Sequence, residues 1–561
     1  MTTFGRRARR RVRRVVSARR PERARPAPVF EWSGPPETAP TGRSSLVLVI
    51  VVDGLRPDSI NPIDTPNLDR LQREGVRFAA SHAVFPTGTR VNAAALATGT
   101  YPAANGFVSN SLYIPAVDPV RPVSGDKHDR MLAVAEANGG RMLLTEGLGE
   151  LLAARGLRFA AVGSASPGST LLLNPGALLG SGLVVNGGFE PGVRVAYPDD
   201  ANREILTRLG PAPRRGGRHH RRDALVGWTE RVLTEYVLPA LQPEVVVHWI
   251  TEPDHTQHAY GAGSPDAVAA LREADRSIGA IHAALERLGL AQSTDLFVVS
   301  DHGVTRYASA VSVDQPLIDA GLKRGPQSDD LVVVRNGPCA LLYVKHREPA
   351  RIRKVVEFLQ TQAWVGVLFT ASQQAPEGRR TPDPEGWLPG TFSLELIHED
   401  NPERQPDILV TFPWSSAKNE FGVPGADVTT IKGAAADARQ GPSSGHGSMS
   451  PWAIRNTLLA WGPHFKRGIV DHVPAGVVDV VPTILHLLQA GDVSARDGRV
   501  LVEALRGGPD EEQIPVQVRT FTTLRSEVGY QAAIQVSEVG HQRYVDKSWR
   551  IQEAELTRRH P

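Results

Sequence analysis

Three aspartates and three histidines of this chain sit where a folded protein could gather them around cations. Asp53 ends the apolar run Leu46–Val52, and Asp254 and His258 lie four apart just after Val245–Ile250. Asp301 and His302 follow the run Leu296–Ser300 directly, and His446 lies in the loop Ser443-Ser444-Gly445-His446-Gly447. Residues four apart share one face of a helical turn. An adjacent Asp-His pair can clasp a cation only from an irregular turn, which Gly303 permits. Taken singly, each has an ordinary reading as a cap or a surface residue. Taken together, three carboxylates and three imidazoles suit two divalent cations, with zinc the expected ion and manganese the alternative. Two such ions about 3.5–4 Å apart clamp the attacking and leaving oxygens of an in-line displacement at phosphorus.

An attacking group is available in Phe85-Pro86-Thr87-Gly88-Thr89-Arg90-Val91-Asn92. The small residues Asn92–Ala97 predict a helix beginning near Thr89 and stopped by Gly99 and Tyr101-Pro102. A hydroxyl at a helix start is either an N-cap or a nucleophile at a positive helix end. A bound cation would lower the pKa of the Thr89 hydroxyl enough for an alkoxide near neutral pH.

The elements that must position these groups read as an α/β protein. Leu46–Val52, Arg158–Gly163, Val245–Ile250 and Leu296–Ser300 are apolar on both faces, as interior strands of a covered, mostly parallel sheet are. Ligands of open α/β sheets bind at the carboxyl ends of such strands. Thr65–Leu71 starts a helix, and no repeat of 20–50 residues is visible. At 561 residues the chain exceeds one ordinary core. Residues 1–44 form a basic arm and linker, 45–505 the main domain, and 506–561 a C-terminal extension. Within the main domain, about 306–403, with the Pro/Gly-rich stretch Gln374–Gly390, reads as a cap or insertion, and Asp407–Phe412 as a strand returning to the core. Val516–Phe521 and Ala532–Val536 read as added strands.

The net charge of +3 hides eleven arginines and one glutamate in residues 1–25, so the remainder is acidic. Such an arm is read as solvated, with contact to nucleic acid or an anionic membrane as the less favoured role. The basic stretch Pro213–Arg222 has two readings, a solvated insertion, which is preferred, and a wall for a polyanion. No apolar run approaches the ~20 residues of a membrane span. Cys339 stands alone, which excludes an intrachain disulfide. With no apolar segment after the arginines to serve as an export signal, a cytoplasmic location is expected.

The ordered set VVDG (Val51–Gly54), FPTGTRVN (Phe85–Asn92), ATGTYPAANGFVSN (Ala97–Asn110), EPDHTQH (Glu252–His258), SDHG (Ser300–Gly303) and SGHG (Ser444–Gly447) resembles the alkaline phosphatase superfamily, and within it the type I phosphodiesterase/nucleotide pyrophosphatase family. Val478–Thr483 is similar to the segment that opens a late helix there. The resemblance implies an alkaline phosphatase-like fold, a mostly parallel sheet between helical layers. It implies that Asp254, His258 and His446 bind one metal, and Asp53, Thr89, Asp301 and His302 the other. Thr89 would attack phosphorus to give a phospho-threonine, and Asn110 would hydrogen-bond a non-bridging oxygen. The implied substrate is a small phosphodiester or nucleotide.

The match is not uniform. Where the family often has Lys-Thr-Phe-Pro-Asn, this chain has Gly88-Thr89-Arg90-Val91-Asn92, and Arg90 either contacts a phosphate oxygen or points to solvent. No Cys/Ser-x-Pro-x-Arg motif of a sulfatase stands at this site. Phosphomonoesterase and phosphonate hydrolase compete with the phosphodiesterase reading, because specificity lies in surrounding residues. A non-catalytic binding protein is the alternative of another class; seven competent residues at the ligand positions favour the enzyme.

Overall fold

The computed structural model describes residues 42–372, 384–431, 443–491 and 493–552. The arginine-rich arm and part of Gln374–Gly390 lie outside the described residues. Leu46–Val52 (β1) is buried along its whole length. Its side chains alternate between two cores, Val47, Val49 and Val51 entering one and Leu48, Ile50 and Val52 the other. A strand with its two-residue period must do this when both faces are covered.

Eight more strands complete the sheet: Val76–Phe78 (β2), Phe159–Gly163 (β3), Leu183–Asn186 (β4), Ala196–Tyr197 (β5), Val245–Ile250 (β6), Thr294–Val299 (β7), Leu458–Trp461 (β8) and Ile469–Asp471 (β9). Their order is β9-β2-β8-β7-β1-β6-β3-β4-β5. The run β7-β1-β6-β3-β4 is parallel throughout. Antiparallel pairing enters only beyond it, through β8 and β5.

Helices cover both faces. Thr89–Thr98 (α1) packs its small side chains into the first core, and Asp254–Tyr260 (α2) follows β6. Pro265–Arg287 (α3) lays Ala274, Ile278, Ile281 and Leu285 on the second core. The late helix expected to open within Val478–Thr483 is Val480–Leu487 (α4), and it lies against α1. Gly99 ends α1 at φ 69°, and a Cβ there would stand 2.9 Å from Val481 Cβ. Left-handed backbone and close packing together require glycine at that position.

The parallel register sets the level of the strand ends. Val51 pairs with Trp249 on one side and with Val299 on the other, so Asp53, Thr251 and Asp301 emerge at one height on one edge. The long stretch between Asp301 and His446 builds two further sheets. One has five strands, Leu331–Arg335, Cys339–Val344, Ile408–Thr411, Leu368–Thr370 and Phe392–Ser393 in spatial order. The strand expected to return to the central core, Ile408–Thr411, instead lies inside this sheet, paired with Cys339–Val344 and Leu368–Thr370. It shares the apolar interior on one face of the central sheet but no ladder with it. The other sheet pairs Thr305–Val311 with Pro424–Thr430 and with Ser444–Gly445, which leads into His446.

Val516–Thr522, Ala532–Val539 and Gln542–Arg550 form an antiparallel three-stranded sheet. A buried contact, His82 Nε2 to Asp546 Oδ1 at 2.8 Å, fastens it beside the segment leading to α1. Among the described residues no helix is long and apolar enough to cross a membrane.

Candidate active site and metal centre

The site lies at the carboxyl ends of β1, β6 and β7. Thr89 is the first residue of α1; Gly88 occupies the N-cap, with no side-chain capping bond. The Thr89 hydroxyl therefore does not cap its helix. Its Oγ1 lies 3.3 Å from His302 Nε2 and turns toward the imidazoles. Asn92 fixes the loop before it: Oδ1 accepts Val84 N–H at 2.7 Å, and Nδ2 donates to Val84 O at 3.0 Å and Gly88 O at 3.1 Å. Thr87 is spent on structure, accepting Gly447 N–H and donating to Ser448 O.

All three histidines present the same face. His258 Nδ1 donates to Ser444 O at 2.8 Å, His302 Nδ1 to Gly303 O at 3.0 Å, and His446 Nδ1 to Thr87 O at 2.8 Å. A carbonyl only accepts, so each neutral ring carries its proton on Nδ1 and aims the Nε2 lone pair inward. Backbone carbonyls fix metal-binding histidines in this way. The inward nitrogens meet carboxylates: His258 Nε2 is 3.3 Å from Asp254 Oδ2, and His446 Nε2 is 3.9 Å from Asp254 Oδ1. His302 Nε2 is 3.0 Å from Asp301 Oδ2 and 3.7 Å from Asp53 Oδ1. The rings of His302 and His446 stack with centroids 3.5 Å apart.

Asp53 and Asp301 are each held by one oxygen and free at the other. Asp53 Oδ2 accepts Trp249 Nε1–H at 3.0 Å, and Asp301 Oδ1 accepts Gly54 N–H at 3.1 Å. Asp53 Oδ1, Asp254 Oδ1 and Asp301 Oδ2 are buried without a hydrogen-bond partner. Burial raises the Asp53 carboxyl well above its ordinary value, and the charges of Asp301 and Asp254 push the same way. Burial also opposes charge on Asp254, and without bound cations protonation of His258, then of His446 and His302, would outweigh it and hold that carboxyl low. Burial, then His302, depresses His446 well below its ordinary value. With the rings neutral, orphaned oxygens face imidazole lone pairs in a site of acceptors only, and cations are what such a donor set fits. Two overlapping groups have ligand atoms within 4.8 Å of one another, Asp254/His258/His446 and Asp53/Asp254/His302. Asp254 belongs to both, where the sequence reading assigns it to one.

Asn110 lies across the nucleophile loop. Its Oδ1 accepts Arg90 N–H at 2.9 Å, which leaves the Nδ2 donors for another acceptor. Arg90 does not point to solvent: Nε donates to Ser169 Oγ at 3.0 Å, and Nη2 lies 3.5 Å from Ser166 Oγ. The structure thus brings Asp53, Thr89, Asp254, His258, Asp301, His302 and His446 to one place, with Asn110 and Arg90 at its side.

Several supporting residues have no signal in the linear motifs. Trp249, 1% exposed, is the partner of Asp53; a buried indole N–H inside a run of aliphatics was the available clue. Asn336, at the tip of a hairpin in the five-stranded sheet, accepts Asn110 N–H at 3.2 Å. Tyr307 covers the His446 loop so closely that a Cβ on Gly445 would lie 2.0 Å from its hydroxyl. Gly303 serves differently from expectation: it is needed for space, because a Cβ there would sit 2.1 Å from Trp452 O. The basic stretch Pro213–Arg222 is largely exposed, as a solvated insertion would be, and it also bonds to α2. Tyr260 Oη donates to His219 O at 3.0 Å, His255 Nε2 to His220 O at 3.2 Å, and Arg218 Nη2 to His258 O at 3.2 Å.

With this geometry in view, the similarities to known proteins can be placed. The fold is shared with murine ectonucleotide pyrophosphatase/phosphodiesterase 5, at TM-score 0.55 and 16% identity, over 82% of this chain and 100% of that one. In sequence, the chain is 26% identical over 272 residues to the venom phosphodiesterase of Macrovipera lebetinus, covering 47% of this chain and 26% of the venom protein. It is 25% identical over 265 residues to human ectonucleotide pyrophosphatase/phosphodiesterase family member 7, covering 47% of this chain and 49% of that protein. The chain thus spans about half, or less, of the length of these relatives. The family model for type I phosphodiesterase / nucleotide pyrophosphatase matches residues 47–415, well over half of the chain. By that match, this chain belongs to the type I phosphodiesterase / nucleotide pyrophosphatase family.

Proposed function

We propose that this chain hydrolyses phosphodiester or pyrophosphate bonds, with Thr89 as nucleophile and a phospho-threonine as intermediate. The observation that carries the reading is the Thr89 hydroxyl, 3.3 Å from His302 Nε2, inside a cluster whose buried acceptors lack donors. Asp254, His258 and His446 would hold one cation, and Asp53, Asp301, His302 and Thr89 the other, with zinc suited to this nitrogen and oxygen set. Bound there, cations supply Lewis acidity, lowering the hydroxyl pKa and neutralising charge on the leaving oxygen.

The chain's own residues do the rest. Thr89 Oγ1 forms the bond to phosphorus as the bond to the leaving oxygen breaks, and water then cleaves the phospho-threonine. Asn110, its Oδ1 committed to Arg90 N–H, offers Nδ2 to a non-bridging oxygen and stabilises the charge that develops there. The loop before α1, pinned by Asn92, keeps the oxygen aimed.

The test compares nitrophenyl diester, monoester, phosphonate and sulfate substrates with zinc or manganese, for wild type and Thr89→Ala. Diesters are expected to lead, and Thr89→Ala to lose activity by several powers of ten. Monoester preference would refute the substrate class, and an undiminished Thr89→Ala rate would refute the nucleophile.

A further inference from the structure

Two arginines from distant parts of the chain meet on one turn beside the nucleophile. Arg90 approaches from α1 and donates to Ser169 Oγ, while Ser166 and Ser169 bond to each other at 2.6 Å. From the docked basic loop, Arg215 Nη1 donates to the Ala165 carbonyl. Both guanidinium groups therefore converge on Ala165–Ser169. Their partners on that turn are neutral oxygens. Among the described residues Arg90 makes no ion pair, and the carboxylate nearest to Arg215 is Glu190 Oε1, 3.9 Å from Nε. Asp126 acts on both through its charge without touching either.

Arg215 is not a surface arginine reaching for water: its side chain is 18% exposed. Burial and the charge of Arg222 bring it down only to about 10, so it remains a cation at neutral pH. Its stem lies where a Cβ on Gly188 would come within 2.7 Å of Cγ, so the fold keeps room for it. Holding two mostly buried cations on one turn costs repulsion and desolvation that an anion between them would offset. Guanidinium forks match carboxylate and phosphate oxygens in shape as well as charge.

The direction of attack says which part of a substrate comes here. In an in-line displacement the leaving group departs opposite Thr89 Oγ1 and the groups retained on phosphorus are arranged around that axis. Arg90 follows Thr89 in the chain and its N–H is held by Asn110 Oδ1, so its side chain starts on the nucleophile's side of phosphorus. We propose that Arg90 and Arg215 form a subsite for a second anionic group, a carboxylate or a phosphate, carried on the ester group that stays with phosphorus. The proposal rests on the phosphodiesterase reading above and narrows its substrate class.

The test uses the full chain with zinc and three 4-nitrophenyl phosphodiesters whose second ester group is ethyl, 2-carboxyethyl or 2-phosphonoethyl. Wild type is expected to prefer a charged ester over the ethyl ester by about tenfold or more in kcat/KM, the scale of one charge-assisted hydrogen bond. Whichever charged ester leads identifies the anion. Arg215→Ala should erase the preference, mainly through KM, and Arg215→Lys should keep part of it. Gly188→Ala, which crowds Arg215 without removing its charge, should also weaken the preference, so the result does not hang on one variant. An ethyl ester handled as well as the charged ones, or a preference unchanged in Arg215→Ala, overturns the subsite. Failure of wild type to cleave any of the three, or equal cleavage by Thr89→Ala, overturns the phosphodiesterase reading and the subsite with it.

Discussion

Trp249→Phe isolates one hydrogen bond at the centre of the site. The indole Nε1 donates to Asp53 Oδ2 at 3.0 Å, and Trp249 is 1% exposed in the interior of β6. Phenylalanine keeps an aromatic ring in the first core while removing the N–H. A hydrogen bond to a charged group contributes about 1.5–3 kcal/mol, which corresponds to roughly 10- to 150-fold in an equilibrium constant. Loss of the bond should appear first in cation binding, because partners that orient a ligand typically account for about 10–100-fold in metal affinity or activity. Zinc binding by calorimetry on chelated, dialysed protein should therefore weaken by about 10–100-fold. The zinc concentration for half-maximal diesterase activity should rise in step, and the rate at saturating zinc should recover to within a few fold. The chelated variant should lose little more than the smaller ring costs, on the order of 1–2 kcal/mol. Wild-type zinc affinity in Trp249→Phe would refute the assignment of Asp53. A lost rate that excess zinc does not restore would show that the indole acts otherwise.

Other outcomes follow from the same geometry. Asn92→Ala strands Val84 N–H and the Val84 carbonyl, while Gly88 O keeps only the backbone N–H of residue 92, and the change should cost about 2–3 kcal/mol in urea titrations as well as slowing turnover; a silent substitution would show the loop is held elsewhere. Removing cations with a chelator should lower the melting temperature, because buried Asp53, Asp254 and Asp301 then face one another uncompensated, and returning zinc should raise it; an unchanged melt argues against a cation site. His464, raised by its hydrogen bond to Asp295 at 2.6 Å, contributes stability that is full below the unfolded histidine pKa of about 6.5 and fades as pH climbs through the folded value. His464→Ala should thus destabilise the chain more near about pH 5.5 than near about pH 9, and the opposite trend would contradict the pairing.

The central sheet is legible in the sequence because β1, β3, β6 and β7 are continuous apolar runs closed by turn residues, and burial on both faces is what such runs require. The candidate ligands are legible for a related reason: Asp53 and Asp301 end strands whose parallel register brings them level. Long-range partners are not. Nothing near Asn336 signals that its amide will meet Asn110, 226 positions earlier, and Trp249 looks like one more core aromatic until its N–H is traced. Charge composition reads Pro213–Arg222 as solvated, and most of it is exposed, but composition does not say that its backbone carbonyls at His219 and His220 will bond to α2. Ile408–Thr411 has the composition of a central strand, but composition does not say which sheet a strand joins.

The wide spacing of the ligating side chains bears on how the protein is made. His446 is synthesised nearly four hundred residues after Asp53, once both accessory sheets have been made. Of the two candidate groups, Asp53/Asp254/His302 is complete in the chain by residue 302, whereas Asp254/His258/His446 waits for residue 446, so the two cations need not be captured together. The Ser443–Gly447 loop is itself followed in the chain by β8 and β9 of the central sheet, so the group that includes His446 is finished only as that sheet is completed.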